Sequence, residues 1–274
     1  MLQKPKKRTT LRVTLGKWFY TWKRYLEWIF SGKKYAKTQV TERLDHVIFS
    51  HQTPLYRKLK DVDMWLQHNK VKNLEIAIQT LNGLLLKPGE TFSYWKRIGR
   101  TTKAKGYVPG MVLYYGKYTT GIGGGLCQLS NLIYWMTLHT PLQVTERYRH
   151  SYDVFPDSKR TQPFGSGATC SYNYIDLQFV NNTDKTFQLA LWLEDGFLKG
   201  EWRANEPLLH TYEVYEKSHW ISMEYWGGYA RHNEIYRKKL NQHNVLVDDE
   251  FITENHAIMM YEPLLEESKE SSGG

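Results

Sequence analysis

Three consecutive glycines stand close before one of the two cysteines in the chain, in the stretch GGGLCQLSN that runs from Gly123 to Asn131. Because glycine loses more conformational freedom on folding than any other residue, this run predicts either a positive φ or a close approach by another backbone segment. After the glycines, apolar residues recur at the spacing of one helical face: Leu129, Leu132, Ile133 and Met136. The sequence therefore predicts a glycine loop that leads into a helix ending before Pro141, with Cys127 in the first turn.

A cysteine in the first turn of a helix is suited to nucleophilic chemistry. The unpaired backbone N–H groups and the helix dipole stabilise an anion there, and the thiolate is the reactive form of cysteine. The loop formed by Gly123, Gly124 and Gly125 would supply N–H groups to a developing oxyanion and let a substrate backbone approach closely. Gln128 follows Cys127 directly and is expected to line the same site. This arrangement predicts a thiol nucleophile.

A thiol nucleophile needs a general base, usually a histidine that a third group orients. Of the ten histidines, His150 in the segment ERYRHS is the best candidate, because it lies in a β-rich stretch just after the cysteine helix. Asp153 is the predicted orienting group. Glu146 and Asp176 are alternatives to Asp153 that the sequence alone does not separate.

Residues that flank His150 complete the predicted substrate site. Arg147 and Arg149 alternate along this segment, and Arg147 would hold a carboxylate through two parallel hydrogen bonds. Ser151 would line the same cleft. A ligand that carries a carboxylate is therefore the class of molecule that these residues fit.

The opposing interpretation treats the cysteine and the histidine as structural residues. A cysteine beside glycines is often a small buried hydrophobic residue, and a lone histidine on a strand is often a satisfied structural side chain. A zinc site built from Cys127, Cys170 and His150 lacks the short paired ligand spacing of zinc-binding chains, so we expect no metal and no cofactor. A Cys127–Cys170 disulfide would need an oxidising compartment, which no feature of the sequence indicates.

The basic residues of the chain are concentrated at its N-terminus. Residues 1–40 hold eleven Lys and Arg against one acidic residue, whereas the whole chain has a net charge of +9, so the remainder is close to neutral. Within this basic arm an apolar stripe recurs at helical spacing: Leu15, Trp18, Phe19, Trp22, Leu26 and Ile29. A basic helix with a tryptophan-rich face is typical of helices that lie on membrane surfaces.

Two interpretations of this helix stay open. In the first, its aromatic face docks on the body of the protein and its lysines are solvated. In the second, residues 11–34 bind an anionic membrane surface, and the membrane-facing side chains are Trp18, Phe19, Trp22, Leu26 and Ile29. A role in nucleic-acid binding has no supporting motif, so we expect no nucleic-acid partner.

The sequence also gives an expectation for localisation. No apolar run approaches the ~18 residues that a transmembrane helix needs. The first thirty residues lack the uninterrupted apolar segment and the cleavage site of a signal peptide. We therefore expect a cytoplasmic protein, peripheral at the inner membrane face if the N-terminal helix binds lipid.

The order of the apolar patterns indicates an α+β fold. Helical spacing over residues 38–86 predicts N-terminal helices, and the pattern from Gln143 to about Glu201 predicts a mostly antiparallel β body that packs on the cysteine helix. We divide the chain into four parts: a basic arm with an amphipathic helix at 1–40, a domain at 41–204, a β-rich extension at 205–262 and a flexible acidic tail at 263–274.

Six ordered motifs closely resemble those of the VanW family, named for an accessory protein of B-type vancomycin-resistance clusters. The motifs are NLEIAIQTLNGLLLKPGETFSYWKRIG (73–99), GYVPGMVL (106–113), GGGLCQLSNLIYW (123–135), ERYRHS (146–151), GSGATC (165–170) and DLQFVNNT (176–183). Together they extend over residues 73–183, about two-fifths of the chain. Their number and order make the resemblance specific.

The resemblance implies a link to glycopeptide resistance and peptidoglycan metabolism. Some larger, wall-anchored proteins with a VanW domain are L,D-transpeptidases, which cross-link peptidoglycan stem peptides through an acyl-cysteine. By this resemblance Cys127 matches the motif cysteine and His150 the motif histidine, which implies an L,D-transpeptidase- or carboxypeptidase-like acyl transferase acting on stem peptides. The alternative is a non-catalytic accessory at the membrane periphery that binds cell-wall precursors.

One position departs from the family pattern. Relatives commonly carry an acidic residue where this chain has Gly167 in the motif GSGATC. A Cys–His–Asp arrangement would therefore lack its third member here unless Asp153 replaces it.

Overall fold

Two helices pack against a four-stranded sheet at the centre of the protein. The computed structural model describes residues 8–56, 63–114, 117–154 and 162–262. In these ranges the helices are α1 Thr10–Phe30, α2 Met64–Leu81, α3 Tyr94–Ile98 and α4 Cys127–Leu138, with a 3₁₀ turn at Lys103–Lys105. The strands are β1 Lys34–Tyr35, β2 His46–Pro54, β3 Leu84–Leu86, β4 Glu90–Ser93, β5 Pro109–Tyr114, β6 Lys117–Ile122, β7 Gln143–Glu146, β8 Tyr152–Asp153, β9 Gln178–Val180, β10 Phe187–Glu194, β11 Phe197–Ala204, β12 His210–Met223, β13 Tyr229–Asn241 and β14 Leu246–Met259.

Over the described ranges the strands form three four-stranded sheets and one hairpin. The central sheet has the order β2-β11-β10-β3, with every neighbouring pair antiparallel. The second sheet, β1-β4-β9-β7, is antiparallel except for its β1–β4 pair. The third sheet has the order β12-β13-β14-β8, and β5 pairs with β6 in the hairpin. The α+β class with mostly antiparallel strands is confirmed.

The core lies between the first two sheets and helices α2 and α4. Helix α4 packs on β2 and β11, and α2 packs on β10. Phe92 and Phe179 of the second sheet stack with their ring centroids 4.4 Å apart, and Trp202 of β11 meets Phe179 edge to face. Cys127 therefore begins a helix that is itself part of the core.

The predicted N-terminal helices are confirmed only in part. Helix α2 carries the expected buried stripe and ends at Leu81, with Asn82 as its C-cap and Gly83 following at a φ of +79°. The helix expected from residue 38 is wrong between His46 and Pro54, because this segment is β2 and pairs antiparallel with β11. Pairing with a distant strand overrides the local apolar spacing there.

The segment after residue 204 forms three long strands of the third sheet and contacts the end of α4. Arg237 of β13 donates hydrogen bonds to the carbonyls of Leu138 and Thr140 at 3.2 and 2.7 Å. Asn233 donates to the carbonyl of Phe164 at 2.6 Å. This sheet therefore satisfies carbonyl groups that the end of a helix leaves without partners. The domain limits remain predictions, and the tail at 263–274 lies outside the described residues.

Helix α1 confirms the helical periodicity of the basic arm but turns its apolar stripe away from the body. Its buried residue is Arg24, which forms ion pairs with Glu27 and Glu146. Trp18 is 65% exposed and Ile29 70% exposed. Docking of the aromatic face on the body is therefore wrong. No helix in the described part of the chain is long and apolar enough to cross a membrane.

Candidate functional site

The glycine loop before α4 has the unusual backbone that its sequence predicts. Gly123 and Gly125 have φ values of +76° and +93°, which favour glycine. Gly124 lies so close to Gly110 of β5 that a Cβ atom on Gly124 would stand 2.2 Å from the Gly110 carbonyl oxygen. Asn73 of α2 supports this approach, because its Nδ2 atom donates to the carbonyl of Gly124 at 2.9 Å. The backbone conformation and the packing of the loop are therefore sufficient to require glycine at all three positions.

Cys127 is the first residue of α4, so the predicted position in the first turn is confirmed. The residue as a whole is partly exposed, whereas its sulfur is enclosed by protein. Burial raises the pKa of its thiol, and the backbone N–H groups of Cys170 and of Cys127 itself oppose this shift without cancelling it. The thiol is therefore protonated at neutral pH. A helix N-terminus by itself favours a lowered thiol pKa, but removal of the sulfur from water outweighs that effect here.

The second cysteine, Cys170, lies beside the first. Burial raises its pKa well above the usual value, and the proximity of Cys127 and Asp176 adds to the shift. Both thiols are free. Tyr94, whose pKa burial also raises, donates its hydroxyl proton to the carbonyl of Leu126 at 2.9 Å. Two thiols and a phenol, all in their neutral forms, thus surround the start of α4.

One turn after Cys127, two polar side chains of α4 hold the neighbouring segment 167–170. Ser130 Oγ donates to the carbonyl of Ala168 at 2.7 Å, and Asn131 Oδ1 accepts the Ala168 N–H at 2.8 Å. A Cβ atom on Gly167 would stand 2.5 Å from Asn131 Oδ1. Residue 167 therefore has no space for a side chain beside Asn131.

His150 is partly buried, and burial lowers the pKa of its ring, so the imidazole is uncharged at neutral pH. Among the described residues the ring makes no hydrogen bond or ion pair with Cys127 or Asp153. The Asp153 carboxylate accepts a hydrogen bond from the Tyr261 hydroxyl at 2.8 Å and lies 3.6 Å from the Arg231 guanidinium. The structure does not join the three predicted catalytic side chains by hydrogen bonds, and their roles remain predictions.

Asp176, one of the alternative orienting groups, is fully buried beside α3. Its carboxyl group accepts the Trp95 N–H at 2.9 Å and lies 2.6 Å from Ser93 Oγ. Burial raises its pKa to about 7. Because Asp176 also raises the pKa of Cys170, it belongs to the surroundings of the two thiols. Glu146, the other alternative orienting group, forms an ion pair with Arg24 of α1.

The predicted substrate-binding residues have protein partners or are exposed. Arg147 donates to four groups within the protein: the carbonyls of Gly165 and Gly167 and the side chains of Thr253 and Asn255. Gln128 donates through Nε2 to Thr53 Oγ1 at 2.8 Å. Ser151 is exposed. Carboxylate binding by Arg147 would need some of its present hydrogen bonds to be replaced, and it stays a prediction.

The sequence patterns did not single out the side chains that shape this site: Asn73, Tyr94, Ser130 and Asn131. All of them lie within the quoted motifs, as polar or hydroxyl-bearing residues among apolar ones. That placement was the available signal, since a buried polar group needs a hydrogen-bond partner.

Within the described ranges, no group of three or more His, Cys, Asp or Glu side chains is arranged to hold a metal ion.

Known proteins match the part of the chain that contains the cysteine helix α4. A family model described as "VanW like protein" matches residues 69–203. The vancomycin B-type resistance protein VanW of Enterococcus faecalis (strain ATCC 700802 / V583) is 40% identical over 185 residues, which cover 68% of this chain and 67% of that protein. The uncharacterized protein YoaR of Bacillus subtilis (strain 168) is 30% identical over 109 residues, 40% of this chain and 34% of that protein. No solved structure matches significantly.

Proposed function

The chain belongs to the VanW family, and from that premise we propose that it acts in glycopeptide resistance and peptidoglycan metabolism as an acyl transferase that uses Cys127. The observation that carries the proposal is the position of this thiol. Cys127 begins α4 and follows a loop whose backbone is fixed by glycine packing. The E. faecalis relative, a vancomycin B-type resistance protein, supports the biological setting.

The proposed reaction transfers the acyl group of an L,D peptide bond in a peptidoglycan stem peptide. The Cys127 sulfur attacks the peptide carbonyl, the C–N bond breaks, and the thiol proton passes through His150 to the leaving amine. The products of this step are a thioester on Cys127 and a free D-amino acid. An acceptor amine or water then breaks the thioester, and one proton of the attacking group returns to the sulfur.

The backbone around Cys127 suits this chemistry. The N–H groups at the start of α4 would stabilise the oxyanion that forms in both steps, whereas those of Gly123 and Gly124, also predicted for this role, already donate to the carbonyls of Val108 and Gly121 at 3.0 Å. The resting pair is a protonated thiol and a neutral imidazole, because burial shifts the two pKa values in opposite directions. A neutral imidazole is the form that accepts a proton. The proposal therefore requires substrate binding to bring the His150 ring to the Cys127 sulfur.

Intact-mass spectrometry tests this proposal. The full chain is incubated with tripeptide and tetrapeptide stems and, separately, with a carbapenem that acylates thiols. We expect an adduct on the wild-type protein and on Cys170→Ala, which serves as the matched cysteine control, and none on Cys127→Ala. Absence of an adduct from the wild type with every one of these compounds would contradict acyl transfer.

A second candidate function is a non-catalytic accessory that binds D-Ala- or D-lactate-ended cell-wall precursors. The raised pKa of the Cys127 thiol favours this alternative, because a buried, protonated thiol is a poor nucleophile. Calorimetric titration of the Cys127→Ser variant with depsipeptide and peptide precursors separates the two functions. Binding that survives the substitution, together with no turnover by the wild type, would support the accessory.

A further inference from the structure

We infer that the outward face of α1 is a docking surface for an anionic lipid bilayer, and that the body of the protein holds this helix ready for it. We call the surface the α1 stripe, which consists of large apolar side chains: Leu11, Leu15, Trp18, Phe19, Trp22, Leu26, Ile29 and Phe30. Each is more than half exposed, from 53% for Trp22 and Leu26 to 76% for Phe30. A contiguous apolar surface of this kind marks a site of interaction.

Contacts on the other side of α1 fix this orientation. Arg24 is 6% exposed and forms an ion pair with Glu146 of β7. Although burial opposes it, the hydrogen bond and charge of Glu146 raise the pKa of Arg24, so its guanidinium stays charged. The hydroxyls of Tyr25 and Tyr172 are 2.8 Å apart. A rotation that buried the stripe would break the pair and leave a buried charge unpaired, so the body cannot cover this surface.

The charge around the stripe favours an anionic lipid surface over a second copy of the chain. Exposed basic side chains lie along the helix and just beyond both of its ends: Arg8, Arg12, Lys17, Lys23, Lys33, Lys34 and Lys37. Glu27, the acidic residue of this arm, is already paired with Arg24 and Lys33. Two copies that met through their stripes would bring two basic arms together, whereas anionic headgroups attract such an arm. Tryptophan side chains also prefer the membrane–water interface.

The geometry predicts a helix that lies flat on the membrane. An α-helix of 21 residues is about 30 Å long, and interfacial helices bury their apolar face to a depth of about 5–10 Å. Because α1 is already helical and attached to the body, binding need not include folding of the helix. The helical content should therefore stay constant when vesicles are added. The inference does not depend on the chemistry of Cys127.

Vesicle flotation with the full chain tests the inference, with vesicles of phosphatidylcholine alone or mixed with phosphatidylglycerol. We expect binding to the anionic vesicles that weakens as salt increases from about 0.1 M to about 1 M, because the Debye length falls from about 10 Å to about 3 Å. The double substitution Trp18→Ala and Trp22→Ala should weaken binding by about tenfold or more, since indole rings supply much of the buried apolar area. Met223→Ala is the matched control, because Met223 is 69% exposed on β12 and should not affect binding.

Each other outcome has a definite meaning. Equal binding by the wild type and the double variant, or no binding to anionic vesicles, would overturn the inference. A wild-type dimer that becomes a monomer in the double variant, seen by sedimentation velocity, would assign the stripe to a second copy instead. Unchanged thermal unfolding of the variants shows that only the surface was altered. Normal vesicle binding by Cys127→Ala separates this inference from the proposed acyl transfer.

Discussion

Asn131 and Gly167 occupy a space that holds only one side chain. The Asn131 Oδ1 atom accepts the Ala168 N–H at 2.8 Å and stands 2.5 Å from the position that a Cβ atom on residue 167 would take. The Asn131 amide of α4 therefore holds the backbone at Ala168 and excludes a side chain at residue 167.

The substitution Gly167→Asp should therefore destabilise the protein by about 1–3 kcal/mol, because the new side chain overlaps Asn131. Urea unfolding measures the loss. The double substitution Gly167→Asp and Asn131→Ala should be less destabilised than the sum of its two single changes, since the second removes the overlap. Purely additive effects would show that Asn131 does not exclude a side chain at residue 167.

Asp176 should make the stability depend on pH in an unusual direction. Burial raises the pKa of Asp176 from 3.8 to about 7. Its contribution to the free energy of unfolding is therefore complete below about pH 4, and up to about 4 kcal/mol of that free energy is lost as the pH rises to about 7. The substitution Asp176→Asn keeps an acceptor for Trp95 and supplies a donor to Ser93. The variant should lack this loss and become the more stable protein above neutral pH.

The measurement is the difference in unfolding free energy between wild type and Asp176→Asn across this range. The wild-type profile alone is not sufficient, because burial lowers the pKa of His139 to about 4. His139 has the opposite effect on the pH dependence, because its contribution to stability is lost as the pH drops from about 6.5 to about 4. A difference that does not change with pH would show that Asp176 ionises as a normal carboxyl group in the fold.

The two thiols should react slowly with alkylating agents at neutral pH. Burial raises both pKa values, and that of Cys170 lies further above its usual range than that of Cys127. The rate of carbamidomethylation should increase with pH beyond the usual thiol range, and Cys127 should react before Cys170, because the thiolate is the reactive form. Peptide mapping of Cys127→Ala and Cys170→Ala gives each rate separately. Fast alkylation of Cys127 that is constant above neutral pH would reveal a thiolate in the resting site.

The ion pair that attaches α1 should be important for stability. Removing Arg24 leaves the Glu146 carboxylate largely buried, so Arg24→Ala should cost about 3–5 kcal/mol in urea unfolding. Lys23→Ala, one position earlier on the exposed side, should change stability by less than about 0.5 kcal/mol. A double-mutant cycle with Glu146→Gln should show a coupling energy. No coupling would mean that α1 is held by other contacts.

The sequence predicted those features that depend on local chemistry. The glycine loop, the start of α4 at Cys127 and its end before Pro141 agree with the structure, because positive φ values and apolar spacing leave a direct signal. The sequence of strand β2 contains no such direct signal. Its residues have apolar spacing that fits a helix, and only pairing with β11 makes them extended.

The same limit applies to the site. Asn131 blocks residue 167, and Arg24 binds Glu146, through contacts between segments far apart in the chain. The periodicity of α1 predicted two faces but contained no information on which face meets the body. One buried arginine decides that orientation, and a basic residue on a basic helix gives no sign of it beforehand.

Arg237 connects the cysteine helix to a part of the chain outside the region that the family model matches. That region ends at residue 203, yet the carbonyl groups of Leu138 and Thr140, at the end of α4, accept hydrogen bonds from β13. A chain shortened to the matched region would leave these acceptors dependent on water. The limit of the family-model match and the limit of a segment that satisfies its own hydrogen bonds therefore fall at different places in this polypeptide.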